Sequence, residues 1–242
     1  MKNEKLWTRD FVFIILINFL VFMNHIMVVS VFPMYLEQVL GLNEAVAGAA
    51  ALGFSLVAVL LRPFIGWLLD QGRRKEILIV GLAGMLLMPL GYLVSDVLAV
   101  AGYALSGAVA LALICRMLHG AALAFSNTSG ATIASDALPQ SRFAEGMGYF
   151  GMATALATSI APALGLLLMN VSYRLFFLTA AVFMVISLAL FAFMHTHQKP
   201  VVQKQPLSLK GLIDADAIPA SVICLVFLFT WGALENFLAD YA

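Results

Sequence analysis

The chain has 242 residues, of which 63% are hydrophobic and 11% charged, and its 13 basic and 13 acidic residues give a formal net charge of zero. An average soluble domain has about 45–50% apolar and about 25% charged residues, so this chain lacks the charge to coat a water-soluble globule. With a mean hydropathy of +1.00 and no heptads, glycine period or cysteine framework, it reads as an all-α polytopic membrane protein, and its neutral charge offers nothing to nucleic acid.

Residues 1–10 are polar and basic. The apolar run behind them is too long for a signal-peptide core and has no small-residue cleavage site, so it reads as an uncleaved first membrane helix. A spanning helix needs about 20 mostly apolar residues. The sequence predicts seven, over Phe11–Phe32, Ala45–Leu69, Ile77–Val94, Tyr103–Ile133, Met147–Met169, Leu175–Met194 and Ile218–Leu238. The break between the third and fourth is the weakest, since Val97–Leu105 is apolar and only Gly102 punctuates it. Residues 196–216 form the one long polar connector, with Pro200, Pro206 and three lysines. Cys115 and Cys224 both lie inside apolar runs, with no partner at metal-ligand spacing, and read as packing residues.

Basic residues set the orientation. With the N-terminus in the cytoplasm, Lys2, Lys5, Arg9, Arg73, Arg74, Lys75, Arg142, Lys199, Lys204 and Lys210 fall inside and Arg174 falls outside. The expected location is the inner (plasma) membrane, multi-pass, with a cytoplasmic N-terminus and linker.

Three stretches carry chemistry. The loop after the second helix reads Gly66-Trp-Leu-Leu-Asp70-Gln-Gly72-Arg73-Arg74-Lys75. A glycine there lets helices approach, and an aspartate near an arginine pair can clamp at the membrane edge. On the fourth helix, Arg116, His119, Gly120, Leu123 and Asn127 share one face. A charge at mid-membrane costs about 2.5–3.5 kcal/mol even on lenient scales, so Arg116 must face protein or water, either as a cavity residue or as a structural ion-pair partner. The third stretch runs from Asp136 through Pro139, Arg142, Glu145, Gly146 and Gly148 to Gly151. Pro139 stops the fourth helix, and Arg142 can pair with Asp136 or Glu145. The fifth helix continues through Gly151, Ala155 and Ser159 at four-residue spacing to Ala161, Pro162 and Gly165, a small-residue face suited to close packing.

Together these stretches resemble the major facilitator superfamily. The first is similar to its signature loop G-x-L-x-D-R-x-G-R-R/K, with Gln71 in place of the arginine and one residue missing before Gly72. The second is similar to the R-x-x-Q/H-G-x-G motif of proton-driven exporters. The third resembles the loop between helices four and five of bacterial efflux-type facilitators. Pro162 sits in a reduced form of the antiporter motif, with Ala161 and Leu164 where glycines are usual. The resemblance implies twelve helices in two six-helix halves around a midplane site. On that plan residues 1–195 form the N-terminal bundle, residues 196–216 a central cytoplasmic linker, and residues 217–242 the first helix of a truncated C-terminal half. The missing half, or a second copy, would be needed to complete the cavity.

The resemblance implies a secondary active transporter, with proton-coupled export of small organic compounds by alternating access as the leading reading. It carries Gly66, Asp70, Gly72, Arg73, Arg74, Asp136, Arg142 and Glu145 over as a conformational latch, and Gly151, Pro162 and Gly165 as an antiporter-like motif. Candidates for the substrate or proton pathway are Asn24, His25, Arg116, His119, Asn127 and Glu235. Asn24 and His25 line the cavity or make helix-packing hydrogen bonds, and Glu235 faces the cavity or lies at its outer mouth. A metabolite importer of the same superfamily and a non-transporting fragment are the rivals within the class. A seven-helix receptor has the right helix count but the opposite N-terminal side. An enzyme would need paired aspartates, a Ser/His pair with a glycine-rich turn or an H-E-x-x-H helix, none of which occurs. No cofactor or metal is implied, and the expected partners are a small-molecule substrate, protons and the lipid bilayer.

Overall fold

The computed structural model of the chain describes residues 5–102, 105–195 and 217–237. It divides into two units, residues 1–204 and 205–242. The first unit holds α1 (Arg9–Gln38), α2 (Glu44–Asp70), α3 (Arg74–Val100), α4 (Leu105–Asp136), a 3-10 turn over Gln140–Arg142, α5 (Phe143–Val171) and α6 (Tyr173–Ala192). The second holds α7 (Ile218–Phe237). The six helices of the first unit are each long and apolar enough to cross a membrane. The chain is thus an all-α polytopic membrane protein.

Local chemistry starts the helices where hydropathy places them. Thr8 Oγ1 accepts from the Phe11 N–H at 3.3 Å, Asn43 Oδ1 from the Val46 N–H at 3.1 Å and Ser172 Oγ from the Leu175 N–H at 3.1 Å. Each bond satisfies a donor that the first helical turn leaves orphaned. The short connections after α1 and α2 turn at Gly41 and Gly72, with φ of 66° and 84°, a left-handed backbone that glycine adopts without a Cβ clash. α1 and α3 run about one turn or more past the predicted ends. In α1 the extension carries Tyr35 and Leu36 into the core, and Pro33 does not stop the helix because buried packing outweighs one lost hydrogen bond.

α1 packs on α5, α6 and α4, while α3 lies along α4 and α6. Beside a small apolar cluster around Ile65, Leu69 and Ile77, two larger ones fill the interior. One gathers Phe11, Ile14, Leu78, Leu82, Phe150 and Met184; the other gathers Met27, Tyr35, Tyr92, Ala157, Phe176 and Phe177. Polar side chains bridge helices across them: Asn18 Nδ2 donates to Thr154 Oγ1 at 2.8 Å, and Tyr35 donates to Ser95 Oγ at 3.0 Å.

Of the glycines expected to make close helix contacts, Gly120 and Gly165 do and Gly66 and Gly151 do not. A Cβ at Gly66 or Gly151 would meet nothing within 4 Å. On α5 the buried stripe is Ala153, Ala157, Ala161 and Gly165, and Gly151, Ala155 and Ser159 lie on an exposed face. Both stripes repeat every four residues, so spacing alone could not choose between them. A further close seam joins α3 to α4, where a Cβ at Gly81, Gly84 or Gly91 would strike Ser126, Ala122 or Cys115. That Cys115 is buried and free agrees with a packing role. The polar connector of residues 196–216 lies outside the described residues.

Candidate functional site

The site grows from one glycine. A Cβ at Gly120 of α4 would collide with the Phe54 carbonyl of α2, so its absence lets the two backbones touch. Phe54 is thereby set against the α4 face one turn earlier, where Arg116 projects. The Arg116 Cζ lies 4.4 Å from the Phe54 ring centroid and 5.0 Å from that of Phe32 on α1. Both are within cation–π range. Arg116 is 3% exposed and His119 is fully buried. Among the described residues, Arg116 is the one buried lysine or arginine.

Phe54 also receives His25 of α1, stacked at 5.2 Å with an interplanar angle of 8°, and the edge of His119 at 5.9 Å. Tyr92 of α3 completes the group: its hydroxyl lies 3.2 Å from His119 Nδ1. Four helices therefore converge, each through a residue near its middle. All three sequence-predicted polar residues that meet here, His25, Arg116 and His119, keep polar atoms without hydrogen-bond partners. Arg116 Nε and Nη1, His119 Nε2 and His25 Nδ1 are buried and unpartnered. Buried polar atoms without partners are rare because each costs about 1–3 kcal/mol, more when charged.

The other predicted pathway residues stand apart. Asn24 donates through Nδ2 to the Ala180 carbonyl of α6 at 2.8 Å, a helix-packing bond, and its Oδ1 is unpartnered. Asn127 is half-buried and eleven residues along α4 from Arg116. At 1.5 Å per residue that is about 16 Å along the axis, too far to share one small ligand with Arg116. Glu235 belongs to α7, and its side chain lies outside the described residues. Sequence reasoning missed Phe32, Phe54 and Tyr92. Tyr92 carried a signal, a hydroxyl inside an apolar run that must find a partner; the two phenylalanines carried none among so many.

The latch candidates fall into ion pairs at the helix ends. Arg74, at the start of α3, pairs with Asp136, the last residue of α4. Arg142 forms a bidentate pair with Glu145, at 2.8 Å and 2.7 Å. Asp70 is exposed with no described ion pair to Arg73 or Arg74, so the clamp joins α3 to α4 and not Asp70 to the arginines that follow it. Arg73 is exposed at the N-cap of α3, and Gly72 supplies the turn before it. Within α5, Pro162 is half-buried, while Gly165 packs against Val31 of α1, 3.2 Å from where a Cβ would sit. At the opposite end of the bundle, Arg174 Nε donates to Asp96 Oδ2 at 3.0 Å, a pair not foreseen from the sequence.

Comparison with known proteins accords with this arrangement. The chain is 34% identical over 83 residues to the probable nitrate/nitrite transporter NarK2 of Mycobacterium tuberculosis, strains CDC 1551 (Oshkosh) and H37Rv. That stretch is 34% of this chain and 20% of the relatives, so the match spans about a fifth of their length. Residues 14–241 match the Major Facilitator Superfamily, almost the whole chain and all seven helices. With six membrane-length helices around a buried, polar mid-span cluster, this chain belongs to the Major Facilitator Superfamily of membrane transporters.

Proposed function

We propose that the chain works in a secondary active transporter that exports small organic compounds in exchange for protons, by alternating access. The observation that carries the reading is Arg116, buried at mid-span with two donors unpartnered. A structural arginine would have been given an acid, as Arg74, Arg142 and Arg174 have. An arginine kept in the membrane without one fits a solute pathway. In this reading residues 1–195 are one rocking bundle, residues 196–216 the cytoplasmic linker and residues 217–242 the start of the facing half. The ion pairs at the ends of α3 and α4 act as latches that hold one state. The cytoplasmic N-terminus is supported by the lysine and arginine asymmetry.

The test is reconstitution of the chain, together with any further residues its gene encodes, into vesicles. Saturable flux of organic solutes that rises with an opposing proton gradient is the expected result. Flux down a co-directed gradient would make it an importer, and no flux of any solute would overturn the transport reading.

A further inference from the structure

We infer that the cluster around Arg116 binds a planar oxyanion, either the carboxylate of an organic solute or a free inorganic oxyanion. The inference rests on the transport reading above and deepens it by naming the class of group that the site takes.

The first argument is charge. Arg116 is buried and carries a full positive charge, and the apolar spans of α1–α6 hold one buried carboxylate among the described residues, Asp96. Asp96 is committed to Arg174. Among the described residues no acid is therefore left to neutralise the guanidinium, and its aromatic neighbours offer only their faces. Phe32 and Phe54 offset part of the desolvation of the cation but accept none of its in-plane hydrogen bonds. A bound anion would supply both charge and acceptors. A cation in the same place would be repelled by like charge at close range.

The second argument is donor polarity. The guanidinium can only donate, and its Nε and Nη1 are buried without an acceptor. The Tyr92 hydroxyl lies 3.2 Å from His119 Nδ1, and His119 Nε2 is buried without a partner; in the tautomer whose Nδ1 accepts from Tyr92, Nε2 carries the ring proton. The unpartnered atoms of Arg116 are thus donors, and that of His119 is a donor in this tautomer. Their needs are met together by a group that only accepts, and an oxyanion is such a group. The third argument is shape. Phenylalanine rings flank the guanidinium, so the hydrogen bonds it has left to make lie in its own plane. A planar carboxylate or trigonal oxyanion can lie in that plane.

The test is equilibrium binding, not flux. The purified 242-residue chain in lipid nanodiscs is titrated calorimetrically with sodium nitrate, sodium acetate, sodium benzoate and tetraethylammonium chloride, at constant ionic strength made up with sodium chloride. We expect saturable heats for at least one oxyanion and none for tetraethylammonium. Nitrate alone would identify a free inorganic ion as the ligand, and acetate or benzoate alone a solute carboxylate. Arg116→Lys, which keeps the charge but not the planar fork, should weaken binding at least tenfold. His119→Asn keeps a partner for Tyr92 but removes the Nε2 donor, and should weaken binding while circular dichroism stays unchanged. Saturable binding of tetraethylammonium in place of the anions, oxyanion affinity unmoved by both substitutions, or no oxyanion binding by the folded wild-type chain would each overturn the proposal. Flux without oxyanion binding would sink this site and leave the transport reading standing; binding without flux would do the reverse.

Discussion

The ends of the helix bundle and its middle treat arginine in opposite ways. At the ends, Arg74 pairs with Asp136, Arg142 with Glu145 and Arg174 with Asp96. In the middle, Arg116 has two phenylalanine faces and, among the described residues, no acid. The pairs at the ends cost little because water reaches one or both partners, and they tie neighbouring helices together. The unpaired cation in the middle makes the fold less stable than an apolar residue would. In the transport reading proposed above, Arg116 is kept there for a solute and not for the fold.

Substitutions can break or sharpen this contrast. The largest effect expected is at the base of the cage. Gly120→Leu forces α4 away from the Phe54 backbone, where neither side can yield, and should cost about 3 kcal/mol. Thermal unfolding of the purified chain would register this, and any Arg116-dependent binding should vanish with it. A smaller loss is expected at the outer end, where Arg174→Met leaves Asp96 buried without its cation. Asp96 is 5% exposed and Arg174 52%, so water screens one partner and the cost should be about 2 kcal/mol. Arg174→Lys should recover part of it. The smallest effect belongs to Arg142→Gln, which removes a pair exposed on both sides and should move stability by less than about 0.5 kcal/mol. If Arg142→Gln cost as much as Arg174→Met, burial would not be what separates these pairs.

Much of this was legible in the sequence, and the remainder has physical reasons. Hydropathy placed six spans within a few residues because a membrane-length apolar run has few other fates. The cost of a mid-membrane charge pointed to Arg116, and helical spacing put His119 and Gly120 beside it. What the sequence could not reveal was rotation. α5 repeats small residues every four positions on two faces, and Ala153, Ala157 and Ala161 are buried, not Gly151 and Ala155. Nor could it choose between partners that lie far apart in the chain. Asp70 stood nearer in sequence to Arg74 than Asp136 did, yet Asp136 forms the pair. The cage was hidden most fully, since Phe32 and Phe54 are two of 18 phenylalanines, and Phe54 meets Arg116 only because Gly120 lets α2 and α4 touch.

The central claim, that Arg116 is kept for a solute and not for the fold, is tested most directly by Arg116→Met with stability and transport measured on the same preparation. Met fills similar space between Phe32 and Phe54 and removes the unpaired charge. The account predicts an unfolding midpoint equal to or above that of the wild type, together with loss of solute flux of at least a hundredfold. A lowered midpoint with flux retained in the folded fraction would contradict it, because Arg116 would then be a structural residue after all.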